Sequence, residues 1–187
     1  MNIIIREIDR AHRADINLPN QPFPLFGRLL PSYVNGQWSW REQRFPESEV
    51  SEMCFPDENY DYDKLSQNSV FLGAYDGEKC IGLAILQQAW NRYMYLYDLK
   101  VNREYRGQRI GEMLIAAALD VSRAHGYRGL FTQGQDNNLA ACRFYLKNGF
   151  EIGGIDTRVY RGTRQEGKFD VLFYAENAPK GESGDCT

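Results

Sequence analysis

The sequence predicts a mixed α/β sheet, and three observations lead there. Two β-rich runs in "SVFLGAYDGEKCIGLAILQQAW" flank Asp76-Gly77, a strong hairpin signal. Ile110, Met113, Leu114, Ala117, Ala118 and Val121 recur at helical spacing, and Gly126 stops the run. A tyrosine-rich strand, "RYMYLYDLKV" over 92–101, precedes that helix, and a short strand around 129–133 follows it. Strand, helix and strand in one sheet make a parallel pair through a right-handed crossover.

The other elements follow in chain order. "IIIREI", residues 3–8, reads as the first strand. Residues 9–66 hold six of the seven prolines, three aromatic clusters and a string of acids, so they read as short helices and loops of the same domain. "NNLAACRFYLKNGF" reads as a second helix, with Asn138 its cap and Gly149 past its end. "FEIGGIDTRVY" and "FDVLFYAEN" are two late strands joined by a polar loop. The end, "APKGESGDCT", has turn and disorder composition, so residues 1–178 read as one domain and 179–187 as a flexible tail.

Composition narrows the function. A chain of 187 residues can bury one proper core. Its net charge of −3 argues against a general nucleic-acid binder. The N-terminus lacks a signal-peptide core and no apolar stretch is long enough to cross a membrane, so the expected location is the cytoplasm. Cys54, Cys80, Cys142 and Cys186 lack metal-like spacing and read as reduced thiols. With His12 and His125 the only histidines, no metal site is expected, and neither lies near a nucleophile signature.

One junction is unusual. "REYRGQRIGEML", residues 103–114, gathers Arg103, Arg106 and Arg109 around Gly107 and Gly111 where a helix begins. A helix start already carries partial positive charge and unpaired N–H groups. Cations there call for an anion, and a glycine-bearing turn before a helix is a phosphate cradle. Neither the P-loop pattern nor the dinucleotide Gly-x-Gly-x-x-Gly is present. A surface loop with solvated cations is the alternative reading of this turn.

Together with the downstream run "NNLAACRFYLKNGFEIGG", "V-x-x-x-Y-R-G-Q-R-I-G" resembles the GNAT family of N-acetyltransferases, and within it the streptothricin acetyltransferases. The likeness covers about Ser69 to Glu176. It implies a mostly antiparallel sheet with a splayed central parallel pair, and acetyl transfer from acetyl-CoA to a primary amine without a metal. The family's phosphate turn maps onto Arg106, Gly107, Gln108, Arg109, Ile110 and Gly111, with Arg109 where a glycine is usual. An ordinary helical conformation at Arg109 would keep its N–H available. Pantetheine would pair with Leu99, Lys100 and Val101, where backbone N–H groups also polarise a thioester carbonyl. Asn138, Ala141 and Tyr145 complete the cofactor side. Tyr145 takes the position of the proton donor to the leaving thiolate, against a plain reading as a core tyrosine.

The acceptor amine must be neutral to attack, and Asp98 is the nearest carboxylate on the central strand. Strand alternation places it opposite Tyr97 and Leu99, so a water chain to another acid is an equal alternative. Trp38, Trp40, Asp57, Glu58 and Asp61 lie in an acidic, aromatic segment suited to a cationic small-molecule amine. A solvated acidic loop with core tryptophans is the plainer reading. Streptothricin, with its β-lysine arm, fits the charge; an aminoglycoside, a polyamine or a protein amine also fits, and a CoA-binding sensor without turnover is the reading from another class. Enzymes of this type are often homodimers.

Overall fold

In the computed structural model, which describes residues 2–177, the chain runs through eleven strands and three α-helices. The expected tail over 179–187 lies outside the described residues. β1 (Ile3–Glu7) leads through 3₁₀ turns at Arg10–Asn17 to β2 (Phe23–Leu25), β3 (Gly27–Val34), β4 (Gln37–Arg44) and β5 (Ser51–Met53). A single-turn α1 (Tyr62–Leu65) precedes β6 (Ser69–Asp76), β7 (Lys79–Gln87) and β8 (Met94–Val101). Then come α2 (Ile110–Ala124), β9 (Gly129–Gln135), α3 (Leu139–Lys147), β10 (Glu151–Asp156) and β11 (Asp170–Glu176).

The main sheet has the order β1-β6-β7-β8-β9-β11-β10. Among the described residues β8–β9 is its one parallel pair, joined through α2. That pairing covers Met94↔Leu130 and Tyr95↔Phe131, and beyond it the strands part. The expected mixed sheet is therefore present, and its opening lies where β8 runs on to Val101. The β6–β7 turn falls on Gly77 and Glu78, one residue later than the Asp76-Gly77 pair, because Asp76 still pairs with Lys79.

β7 reads as an unbroken apolar run because both its faces are covered. Ala84 and Leu86 join Leu114, Ala118, Leu130 and Phe173 in the core under the helices. Leu83 and Ile85 pack on the opposite face with Ile8, Ile16 and Phe71, under the 3₁₀ turns and α1.

Residues 9–66 correct the expectation of short helices and loops. β3 and β4 form a full hairpin from Gly27↔Arg44 to Val34↔Gln37, turning on Asn35 and Gly36, both at positive φ. Asn-Gly between two strands favours this turn. Pro24 and Pro31 are tolerated because β2–β5 and β3–β4 are two-stranded sheets, in which every strand keeps a free edge. The hairpin is anchored at its base: Leu29 is fully buried, and the Leu29 N–H donates to the Asp136 carbonyl at 2.9 Å. Arg28 pairs with the buried Asp136 carboxylate at 2.5 Å. Arg143 of α3 pairs with Glu42 of β4.

Candidate active site

The turn before α2 presents its backbone N–H groups unpaired. Gly107 has φ +79° and Arg109 has φ 65°, both left-handed. This corrects the expected helical conformation at Arg109 and explains why glycine is usual there. The N–H groups of Gly107, Gln108, Arg109, Ile110 and Gly111 donate no hydrogen bond within the described residues, and α2 carries no side-chain cap. Five free donors at the head of a 15-residue helix fit a pyrophosphate. Gly111 has a different reason to be small: a Cβ there would stand 2.9 Å from the Phe144 ring of α3.

The arginines already have protein partners. Arg103 pairs with Glu52 at 3.2 Å, and Arg109 with Glu112 at 2.8 Å. Arg106 donates to the carbonyls of Val101 at 3.0 Å and Pro22 at 2.9 Å, clasping the end of β8 to the segment before β2. Gln108 folds back onto the Glu104 carbonyl at 3.2 Å. Ile110 is buried. The turn thus offers free main-chain N–H groups, beside guanidinium groups that each have a protein partner.

The opened edge of β8 supplies more of them. The Asn102 N–H donates to Ile81 at 2.9 Å, and the register runs Val101↔Gly82, Lys100↔Leu83, Leu99↔Ala84. Bonded pairs alternate in an antiparallel ladder, so the main chain of Lys100 bonds to β7 while those of Leu99 and Val101 face the gap. An extended ligand would thus meet both groups of Leu99 and the N–H of Val101. A register shift between Ile85 and Leu86 leaves Tyr97 as an extra, bulged residue.

Lys100 instead works through its side chain. Its ammonium lies 2.9 Å from both Asp98 and Glu58. The Tyr60 hydroxyl donates to Asp98 at 3.3 Å, and the Tyr60 ring stacks at 5.9 Å from Tyr97. Burial pushes the Asp98 carboxyl above the usual range, with Lys100 pulling the other way. Burial works against the Lys100 ammonium too, but Asp98 and Glu58 outweigh it and raise its pKa. Burial opposes the Glu58 carboxylate, yet hydrogen bonds from Asn20 and Lys100 hold its pKa below the usual value. Burial, then the Asp98 and Glu58 charges, raise the Tyr60 pKa. The "YDLKV" alternation places Asp98 and Lys100 on one face; nothing near them in sequence announced Glu58 and Tyr60 as partners.

Tyr145 is buried against Phe144, Phe150 and Phe173, with ring centroids 5.3–5.6 Å away. Burial raises its phenol pKa, the neighbouring Thr132 hydroxyl lowers it, and the Asp98 charge adds to the rise. The phenol therefore keeps its proton at neutral pH. Asn138 caps α3 by accepting from the Ala141 N–H at 3.2 Å, which ties those two expected contacts to each other. Cys142, on the same helix, is buried and its thiol pKa is pushed up to about 12, so it packs and does not react.

The acceptor residues expected together are divided. Glu58 joins Lys100. Asp57 accepts from the Asn20 N–H at 2.7 Å, and Asp61 caps α1. Trp38 and Trp40 sit on β4: Trp38 packs on the core edge and stacks 4.8 Å from Tyr33, while Trp40 is half exposed. The aromatic residues that do line the sheet beside Asp98 are Tyr97, Tyr95 and Phe131: Tyr97 meets Tyr95 edge-on at 5.7 Å, and Tyr95 stacks on Phe131 at 4.7 Å.

Comparison with known proteins agrees with this geometry. The Acetyltransferase (GNAT) family matches residues 35–150. Streptothricin acetyltransferase A of Bacillus subtilis (strain 168) is 30% identical over 91% of this chain and 98% of its own length. A protein of Bacillus anthracis (strain Ames), described as a streptothricin acetyltransferase and solved with acetyl coenzyme A, superposes with a TM-score of 0.82 at 28% identity, over 94% of this chain and 99% of that one. Nourseothricin acetyltransferase shares the fold, with a TM-score of 0.76 at 22% identity over 95% of this chain and 100% of that one. No helix among the described residues is long and apolar enough to cross a membrane, and no group of three metal-ligating side chains occurs among them. The chain belongs to the GNAT family of acetyltransferases, and its acetyl donor is acetyl-CoA.

Proposed function

We propose that this enzyme acetylates a primary amine of a cationic antibiotic, streptothricin through its β-lysine arm, and so confers resistance. The observation that carries the reading is the cluster of Asp98, Glu58 and Tyr60 beside the opened edge of β8. Carboxylates and aromatic faces attract ammonium groups. The similarity to streptothricin acetyltransferase A supports the choice of substrate.

Acetyl-CoA supplies the acetyl group as a thioester. The N–H groups of residues 107–111 hold its pyrophosphate, and the main chain of Leu99 and Val101 aligns its arm. An alkyl ammonium has a pKa of about 10.4 and must lose a proton before it can attack. Asp98 takes that proton, directly or through water. Its raised pKa makes it a stronger base than an exposed aspartate, and Lys100 keeps it ionised. Tyr145 holds a proton on its hydroxyl for the departing thiolate.

Thiol release from acetyl-CoA, followed with streptothricin, an aminoglycoside, spermidine and a lysine-ended peptide, tests the proposal. Fast turnover with streptothricin alone is the expected result. Turnover with spermidine or the peptide alone would reassign the substrate. Silence across the panel with acetyl-CoA still bound would favour a CoA-binding sensor.

A further inference from the structure

A second carboxylate shares the sheet face of Asp98. Asp170, the first residue of β11, is 6% exposed. Two other acids have cationic partners: the buried Asp136 has Arg28, and the partly buried Asp98 has Lys100. Among the described residues Asp170 has none. Its contact is the Tyr160 hydroxyl, which donates to Oδ1 at 2.7 Å. Asp156, across the β10–β11 ladder, adds a second negative charge, and its Oδ1 is engaged by the N–H groups of Arg158 and Val159.

A second, independent feature adjoins it. Gln135 of β9 lies directly opposite Asp170 in the ladder, is 8% exposed, and its Oε1 has no hydrogen-bond partner. Its Nε2 donates to the Gln165 Oε1 at 2.7 Å. The Lys168 ammonium donates to that same Gln165 oxygen at 3.1 Å. Buried acceptors are almost always satisfied. Here an unpartnered amide oxygen and a carboxylate without a cation stand side by side, and an ammonium brings donors for both.

Strand alternation gives the direction. Val171 and Phe173 of β11 and Leu130 of β9 enter the core under the helices, so Asp170 and Gln135 face the other way. Asp98 also faces that way, opposite Ile85 of the second core cluster. Tyr95 and Phe131 pair on this side of the sheet, and Tyr97 packs against Tyr95. β8 and β11 flank β9, so the two carboxylates stand on opposite sides of it.

We propose that Asp170 and Gln135 form a second ammonium subsite, which selects acceptors carrying two cationic nitrogens over monoamines. The subsite rests on the reading that this face receives the amine. One ammonium is delivered to Asp98 for reaction while the distant one anchors at Asp170.

The test is thermal stabilisation of the full chain by streptothricin and by spermine, against n-octylamine, in the wild type, Asp170→Asn and Gln135→Leu. Asp170→Asn keeps an oxygen for Tyr160 and removes the charge. The expected result is a stabilisation by streptothricin and spermine that Asp170→Asn weakens, with apparent affinity falling about tenfold. Gln135→Leu weakens it in the same direction, and neither variant alters the response to n-octylamine. Equal loss for the monoamine and the polyamines, or no loss for either, overturns the subsite. So does a wild type that none of the multiply charged amines stabilises. Binding is read without turnover, so failure of the acetylation assay and failure of this subsite are separate results.

Discussion

Lys100 lies 2.9 Å from Asp98, two residues back on the same strand, and the pair stands at the edge of the opening between β8 and β9. The lysine charge favours the ionised carboxylate and opposes the effect of burial. Removing it with Lys100→Met raises the Asp98 pKa further. Asp98, the proposed base, is then protonated over a wider range, and the acid limb of the kcat/KM profile moves to higher pH, by about one unit or more. A pH series with streptothricin reads this directly. An unmoved acid limb would assign the titration to another group.

Tyr145→Phe keeps the ring contacts with Phe150 and Phe173 and removes only the hydroxyl. In the proposed role of proton donor to the thiolate, Tyr145 contributes about 10²–10⁴-fold to kcat. Acetyl-CoA affinity, measured by calorimetry, stays within about threefold because the main chain carries the cradle. An unchanged kcat would return Tyr145 to a purely core role.

Arg109 occupies a left-handed conformation that an arginine adopts at a cost. Arg109→Gly removes that strain and loses an exposed pair with Glu112 that contributes little. The Tm rises by roughly 3 °C, and the KM for acetyl-CoA stays within about twofold. Arg109→Ala keeps the strain and gains nothing. A large rise in KM in the glycine variant would show that the guanidinium clamps the phosphate after all.

Arg28→Met leaves the Asp136 carboxylate buried without its partner, at the point where the β3–β4 hairpin joins β9. An uncompensated buried charge costs about 3 kcal/mol, or roughly 6–12 °C in Tm for a chain of this size. The double variant with Asp136→Asn recovers part of the loss, because no charge then remains buried. Thermal unfolding of the three proteins measures it.

Glu58→Gln is expected to raise the KM for the amine more than it lowers kcat, because in the proposed mechanism the carboxylate, paired with Lys100, attracts substrate without taking the proton. Asp57→Asn acts in the same direction and more weakly, since Asp57 accepts from the Asn20 N–H rather than reaching Lys100. Steady-state kinetics with the amine as varied substrate separate the two effects. A loss confined to kcat would place Glu58 in the chemistry.

The sequence by itself determined the parts that depend on a few neighbouring residues. The apolar spacing from Ile110 to Val121 is α2, the Asn138 side chain caps α3, and the glycine-bearing turn at 107–111 presents free N–H groups. The Asn35-Gly36 pair carries the same kind of local hairpin signal, and the prolines beside it are admitted by the free edges of a two-stranded sheet. Tertiary structure alone decided which charges meet. Arg28 finds Asp136, Lys100 finds Glu58, and Arg103 finds Glu52, each across a long stretch of chain. Helix and turn signals act within about one turn of chain, whereas a charge is tuned by what packs against it, and that is set only when distant strands come together in one sheet.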